Sequence, residues 1–231
     1  MKVKQFKIRS SAIHSIMTQP KTKTARENGE LSQTTKSYCE LWLKEQLYSR
    51  KKEFTNKYTE KGNICEDNSL DFIASQLDLG FLFKNEDYFE NEYLTGTPDV
   101  NMNFLIDVKN SWDCFTFPLF DDKIDPKYYA QGQGYMDLTG KNEYKLIYVL
   151  SDTPEHLINR EAYYFAKNNG FDEIDEDIYS EIKKYMTYSD VPDNLKIKIF
   201  EFKKDEDYIK SVYEQVKKCR KYINGLLLRL K

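Results

Sequence analysis

At 231 residues the chain is sized for one domain or two small ones. Hydrophobic residues at 40% and aromatics at 15% supply enough apolar surface for a sizeable core, which excludes a disordered chain despite 32% charged residues. No apolar run approaches the roughly 20 residues needed to cross a bilayer, and the opening MKVKQFKIRSSAIHS lacks the apolar stretch of a signal peptide, so a cytosolic protein with no membrane role is expected. The net charge of −3 is uneven: residues 1–62 carry 14 Lys and Arg against 6 Asp and Glu, a net of +8, which leaves −11 for the rest. Such a basic first quarter is either a phosphate-binding surface or a set of lysines solvating exposed helices. Cys39, Cys65, Cys114 and Cys219 form no CxxC pair, which argues against a zinc ribbon and a disulfide framework.

In chain order, a short opening element leads to a basic loop at Lys21 to Arg26. Tyr38, Leu41, Trp42 and Leu47 recur at helical spacing and predict a helix from about Thr35 to Phe54. A second helix is expected after Gly62, with Ile64, Leu70, Ile73, Ala74 and Leu77 on one face until Gly80. The period then changes. Phe81 to Leu94 and Asp99 to Val108 read as short strands with turns at Gly96-Thr97-Pro98 and Asn101 to Asn103. Pro126 opens a helix that Gly140 closes, and Lys145 to Leu150 is a buried strand. Helices at Asp152 to Asn168 and Asp172 to Met186 and a strand at Leu195 to Phe202 follow. Asp205 to Leu230 forms one helix whose apolar seam runs from Ile209 to Leu230, expected to pack on its own domain because it covers barely three heptads. The order is mixed α/β.

The densest chemistry lies between Gly96 and Lys109, where GTPDV precedes LIDVKNSW. Alternate side chains of a strand share a face, so Asp107 and Lys109 project together while Ile106 and Val108 point the other way. Either the two form a structural ion pair at a sheet edge, or they belong to an ion site. Asp99, just after the turn, can be brought beside Asp107 by a neighbouring strand. Two adjacent carboxylates repel unless a cation lies between them, and an oxygen-rich site suits Mg²⁺ or Mn²⁺. Such an ion polarises a phosphoryl oxygen and helps ionise water, with Lys109 orienting or helping deprotonate that water: the chemistry of phosphodiester hydrolysis.

Asp99 with Asp107-Val108-Lys109 resembles the signature of PD-(D/E)xK nucleases, close to its form in RecB-type nucleases and in phage exonucleases of the lambda-exonuclease and YqaJ group. Gly62 to Glu66 in EKGNICED resembles the glycine-then-glutamate pattern of the family's preceding helix, and Gln131 and Tyr135 in AQGQGYM match its QxxxY motif. The i, i+4 spacing puts Gln131 and Tyr135 on one helix face. Gly132 and Gly134 inside that helix, each costing about 1 kcal/mol relative to alanine, suggest that DNA or the catalytic sheet approaches closely. IRSSAIHSIM is similar to the serine-containing start of phage exonucleases; its His14 is left outside the catalytic set.

The resemblance implies a restriction-endonuclease-like core, a central mixed β-sheet flanked by helices with a long C-terminal helix, in a single domain over 1–231 with the catalytic core at about 58–150 and an extension at 151–231. It implies catalytic Glu66, Asp99, Asp107 and Lys109, with Mg²⁺ (Mn²⁺ as substitute) held by Glu66, Asp99, Asp107 and the Val108 carbonyl; Glu92 is the rival to Glu66. Gln131, Tyr135, Lys51 and Lys52 are expected to line the DNA path. The cysteines lack the spacing of the iron–sulfur cluster found in a related nuclease family, so none is expected. The implied function is an end-dependent duplex-DNA exonuclease in phage recombination or end resection, working in the cytoplasm of an infected bacterial host. A ring-shaped homo-oligomer, a trimer, and a single-strand annealing recombinase partner are implied with it. A restriction-like endonuclease and an inactive DNA-binding or assembly module of the same fold are the alternatives.

Overall fold

Two short helices, Ile13–Ile16 (α1) and Lys23–Glu27 (α2), precede the first long one, Gln33–Tyr48 (α3), which starts where the Ser32 hydroxyl accepts the Thr35 N–H at 3.0 Å. The computed structural model describes residues 3–52, 56–171 and 173–230. The expected end of α3 at Phe54 lies outside them, and the helix stops earlier because Ser49 enters the left-handed region at φ 51°. The next helix, Lys57–Leu77 (α4), begins before Gly62 rather than after it. Asn56 sets this start: its side chain accepts the N–H groups of Tyr58 and Thr59, while the Thr59 hydroxyl accepts the Asn56 N–H at 3.1 Å. Gly62 is therefore inside α4, and Glu66 lies in its third turn.

The strands form two sheets, not one. Ile8–Arg9 (β1), Phe89–Glu90 (β2) and Leu94–Gly96 (β3) make a small sheet in the order β1-β3-β2. Val100–Asn101 (β4), Leu105–Asn110 (β5), Glu143–Val149 (β6) and Ile197–Lys203 (β7) make the larger one in that order. β5 and β6 run parallel and the outer pairs antiparallel, so the larger sheet is mixed as expected. Most of the strand expected over Phe81 to Leu94 is irregular loop, residues 79–88.

The remaining helices are Pro126–Thr139 (α5), Glu155–Asn169 (α6), Glu176–Met186 (α7) and Glu206–Arg229 (α8). The expected start of α7 at Asp172 lies outside the described residues; Asp175 caps the helix by accepting the Ile178 N–H at 2.8 Å. α4 and α5 cover opposite faces of the larger sheet. Ile106, Val108, Ile147 and Val149 pack on Leu70, Ile73 and Ala74 of α4, whereas Leu105, Tyr144 and Leu146 pack on Tyr135 and Met136 of α5. Asp107 shares the face of Leu105 by strand alternation and so points to α5. The α8 seam from Val212 to Ile223 packs within its own chain against α1, α3 and the small sheet through Phe6, Ile13, Cys39 and Leu94.

The two α5 glycines mark close approach. A Cβ on Gly132 would stand 2.6 Å from Phe202 and one on Gly134 2.5 Å from Ile13, so the neighbours are the sheet and the opening segment.

Candidate active site

Asp107 is fully buried at 0% exposure in the middle of β5. Val100 pairs with Ile106 and Asn101 with Leu105, so the antiparallel register continued one step puts Asp99 opposite Asp107. The Asp99 Oδ2 accepts the Val108 N–H at 2.8 Å, which fixes the carboxyl at this edge. Lys109, two residues along the same face, sets its ammonium against Asp107 Oδ2 as an ion pair and also donates to the Val108 carbonyl at 3.3 Å. Gln131 Nε2 donates to Asp107 Oδ1 at 2.7 Å and to the Tyr135 hydroxyl at 3.3 Å.

The electrostatics are those of a crowded acidic pair. Burial and then the charge of Asp107 raise the Asp99 carboxyl to about 6, with Lys109 and the Val108 N–H opposing the rise. For Lys109, burial acts to lower the value, but Asp107 and Asp99 outweigh it and hold the ammonium above its ordinary range. Apart from its ion pair with Lys109, Asp107 Oδ2 takes no hydrogen bond among the described residues. Two converging carboxylates, one with such an oxygen, form a donor set that fits a hard cation such as Mg²⁺ or Mn²⁺.

Glu66 is held apart from this pair. Its Oε2 accepts from Lys84 Nζ at 2.5 Å, and among the described residues no three His, Cys, Asp or Glu side chains stand together as a ready ligand set. Lys84 sits in the irregular loop 79–88, and no periodicity in the sequence marked it. Its neighbour Asn85 explains its place: Asn85 N–H donates to the Asp99 carbonyl at 2.7 Å and Asn85 Nδ2 to the Pro98 carbonyl at 3.0 Å. Glu92, the rival carboxylate, pairs instead with Arg220 of α8 at 3.2 Å. His14 stands near Asp125 and Lys127 at the start of α5, with burial and then Lys127 lowering its pKa.

A cleft of 1110 Å³ opens at the Gly96-Thr97 turn that precedes Asp99, and neither aspartate lines it. Its lining includes Lys4, Lys7, Arg9, Lys51 and Lys52 from the basic first quarter together with Gly96, Thr97 and Tyr135. Tyr135 connects the two regions, because Gln131 bonds both its hydroxyl and Asp107. Tyr135 lines the cleft, whereas Gln131, 6% exposed, lies behind it.

A phage-related exonuclease from Haemophilus somnus 129PT superposes on the chain with a TM-score of 0.80 and 28% identity, covering 99% of this chain and 98% of that one. This chain has a phage-exonuclease fold. The same fold extends to the alkaline exonuclease LHK-Exo of Laribacter hongkongensis, at a TM-score of 0.62 and 15% identity over 97% of this chain and 91% of that one, and to LHK-Exo in complex with dAMP at 0.63. No family model matches the sequence, and no curated protein does. The phage-exonuclease likeness bears out the resemblance to PD-(D/E)xK nucleases read from the residues and supports a nuclease activity. Within the fold, no described helix is long and apolar enough to cross a membrane.

Proposed function

We propose that this chain is a divalent-metal-dependent exonuclease that degrades duplex DNA from an end. The observation that carries the reading is the buried Asp107, set opposite Asp99 and against Lys109 and linked through Gln131 and Tyr135 to a cleft lined by lysines and an arginine. Asp99, Asp107 and the Val108 carbonyl would hold Mg²⁺ or Mn²⁺, which supplies polarisation of a phosphoryl oxygen and ionisation of a water. Lys109 carries a positive charge on the same face, where it orients the attacking water and offsets charge that develops on the phosphoryl oxygens. Gln131 fixes Asp107 through its amide on Oδ1, so that Oδ2, paired with Lys109, is the oxygen that would meet the metal.

Lys4, Lys7, Arg9, Lys51 and Lys52 neutralise backbone phosphates along the cleft, a contact that carries no sequence information. Selection of an end, rather than of a sequence, suits such a surface. We assign it to a cyclic oligomer, a ring trimer, that threads the duplex, and we assign the acidic residues between positions 171 and 189 to contact with a single-strand annealing recombinase. LHK-Exo has been solved with dAMP, and we extend nucleotide binding to this chain. The test is purified protein with Mg²⁺ on linear duplex and on relaxed closed circles, with a chelator control. Progressive loss of linear DNA, sparing of circles and loss of activity with chelator are expected. Rapid conversion of closed circles to discrete linear fragments would overturn the exonuclease reading in favour of an endonuclease.

A further inference from the structure

We propose that Lys84 is a built-in counter-cation of the active site, which occupies Glu66 and so keeps that carboxylate from ligating the metal. The inference rests on the metal-dependent nuclease reading. Two observations set Lys84 on Glu66 and its loop against the Asp99 segment. Its ammonium is 2.5 Å from Glu66 Oε2 on α4. The next residue, Asn85, is bonded to the carbonyls of both Pro98 and Asp99, so the loop is stapled to the segment that carries the metal-binding Asp99.

The arrangement does with a side chain what a further cation would otherwise do. A lysine held by its loop neutralises Glu66 without an ion, so that one divalent ion and Lys109 face only Asp99 and Asp107. Because the Lys84 side chain is half exposed and Glu66 little exposed, the pair is weak enough for removal of the lysine to free Glu66 without disturbing the core. Lys84 is thus a positioning residue. It acts on the metal through Glu66 and touches no reacting atom.

Titration calorimetry with Mn²⁺ alone, in the absence of DNA, tests this in four proteins: wild type, Lys84→Met, Lys84→Arg and the double variant Lys84→Met with Glu66→Gln. Lys84→Met should bind Mn²⁺ at least about tenfold more tightly, because the freed Glu66 becomes a ligand, and Glu66→Gln in the same chain should abolish the gain. Lys84→Arg, which keeps the charge, should match the wild type. Unchanged affinity in Lys84→Met beside normal wild-type binding would overturn the inference alone. A gain that survives in the double variant would overturn it too, since the effect would then be a general loss of positive charge. If neither the wild type nor the variants bind Mn²⁺, the metal-dependent reading falls and the inference with it.

Discussion

Gln131 donates from Nε2 to Asp107 Oδ1 at 2.7 Å, a bond between two buried side chains that ties α5 to β5. A hydrogen bond to a charged group contributes about 1.5–3 kcal/mol, and each 1.36 kcal/mol is about tenfold in rate. Gln131→Ala should therefore lower kcat about 10- to 100-fold while KM for DNA changes little, as single-turnover and steady-state cleavage will measure. A rise in KM at constant kcat would instead make Gln131 a DNA contact.

Asp107→Asn keeps the size of the side chain but removes the charge that opposes Lys109 and repels Asp99. Cleavage should fall by at least about 10²–10³, the usual cost of losing one preorganised electrostatic group. Circular dichroism should remain native, because Asn still accepts from Gln131. With the charge gone, the Asp99 carboxyl, now near 6, should move down toward its ordinary range. Proton NMR of the carboxyl-linked resonances in the metal-free variant measures that movement, and an unchanged Asp99 would mean that burial alone sets its value.

What the sequence made legible followed its periodicities. Asp107 and Lys109 shared a face because strands alternate, Gln131 and Tyr135 because helices repeat at four, and the paired glycines of α5 announced the close contact that Phe202 and Ile13 make. Where position depended on a loop or on a cap, the reading failed. Gly62 looked like a helix boundary, but the reciprocal Asn56–Thr59 cap starts α4 upstream and moves Glu66 to mid-helix, beside Lys84. An Asn three residues before a Thr is a signal the sequence did contain. Lys84 and Asn85 offered none, because loop 79–88 has no period and its bonds to Pro98 and Asp99 span distant sequence. The division into two sheets was hidden for the same reason: β1 pairs with β3 across more than eighty residues.

Lys51 and Lys52 line the cleft from the segment after α3. Each backbone phosphate that a lysine no longer neutralises reduces the slope of log affinity against log salt by about 0.9 for duplex DNA. Replacing both lysines with glutamine should thus weaken duplex binding and flatten that slope by about one to two, as fluorescence anisotropy at several salt concentrations will report. Weakened binding with an unchanged slope would place the phosphates elsewhere.

Lys61 makes the last prediction, because its ammonium is buried where few are found. It is 0% exposed on α4, four residues before Cys65, and donates to the Trp112 carbonyl at 2.9 Å between the rings of Trp112 and Tyr188. Burial lowers its pKa from 10.5 to about 8, against the smaller opposing pull of Cys65, Asp113 and Asp152. The folded value lies below the unfolded one, so between pH 8 and 10.5 the unfolded chain binds the extra proton. The cost of burying the charge is then fully present below about pH 8 and is relieved as pH rises through that window. Relative to Lys61→Met, which has no proton to lose, the wild type should gain stability from pH 7 to pH 10. The gain is up to about 3 kcal/mol, since a tenfold difference in proton affinity between the folded and unfolded chain is worth about 1.36 kcal/mol. Urea unfolding of both proteins across that range measures the difference, in which the titrations of the many tyrosines cancel. A difference that stays flat with pH would mean that the Trp112 carbonyl and the two rings hold Lys61 fully charged despite its burial.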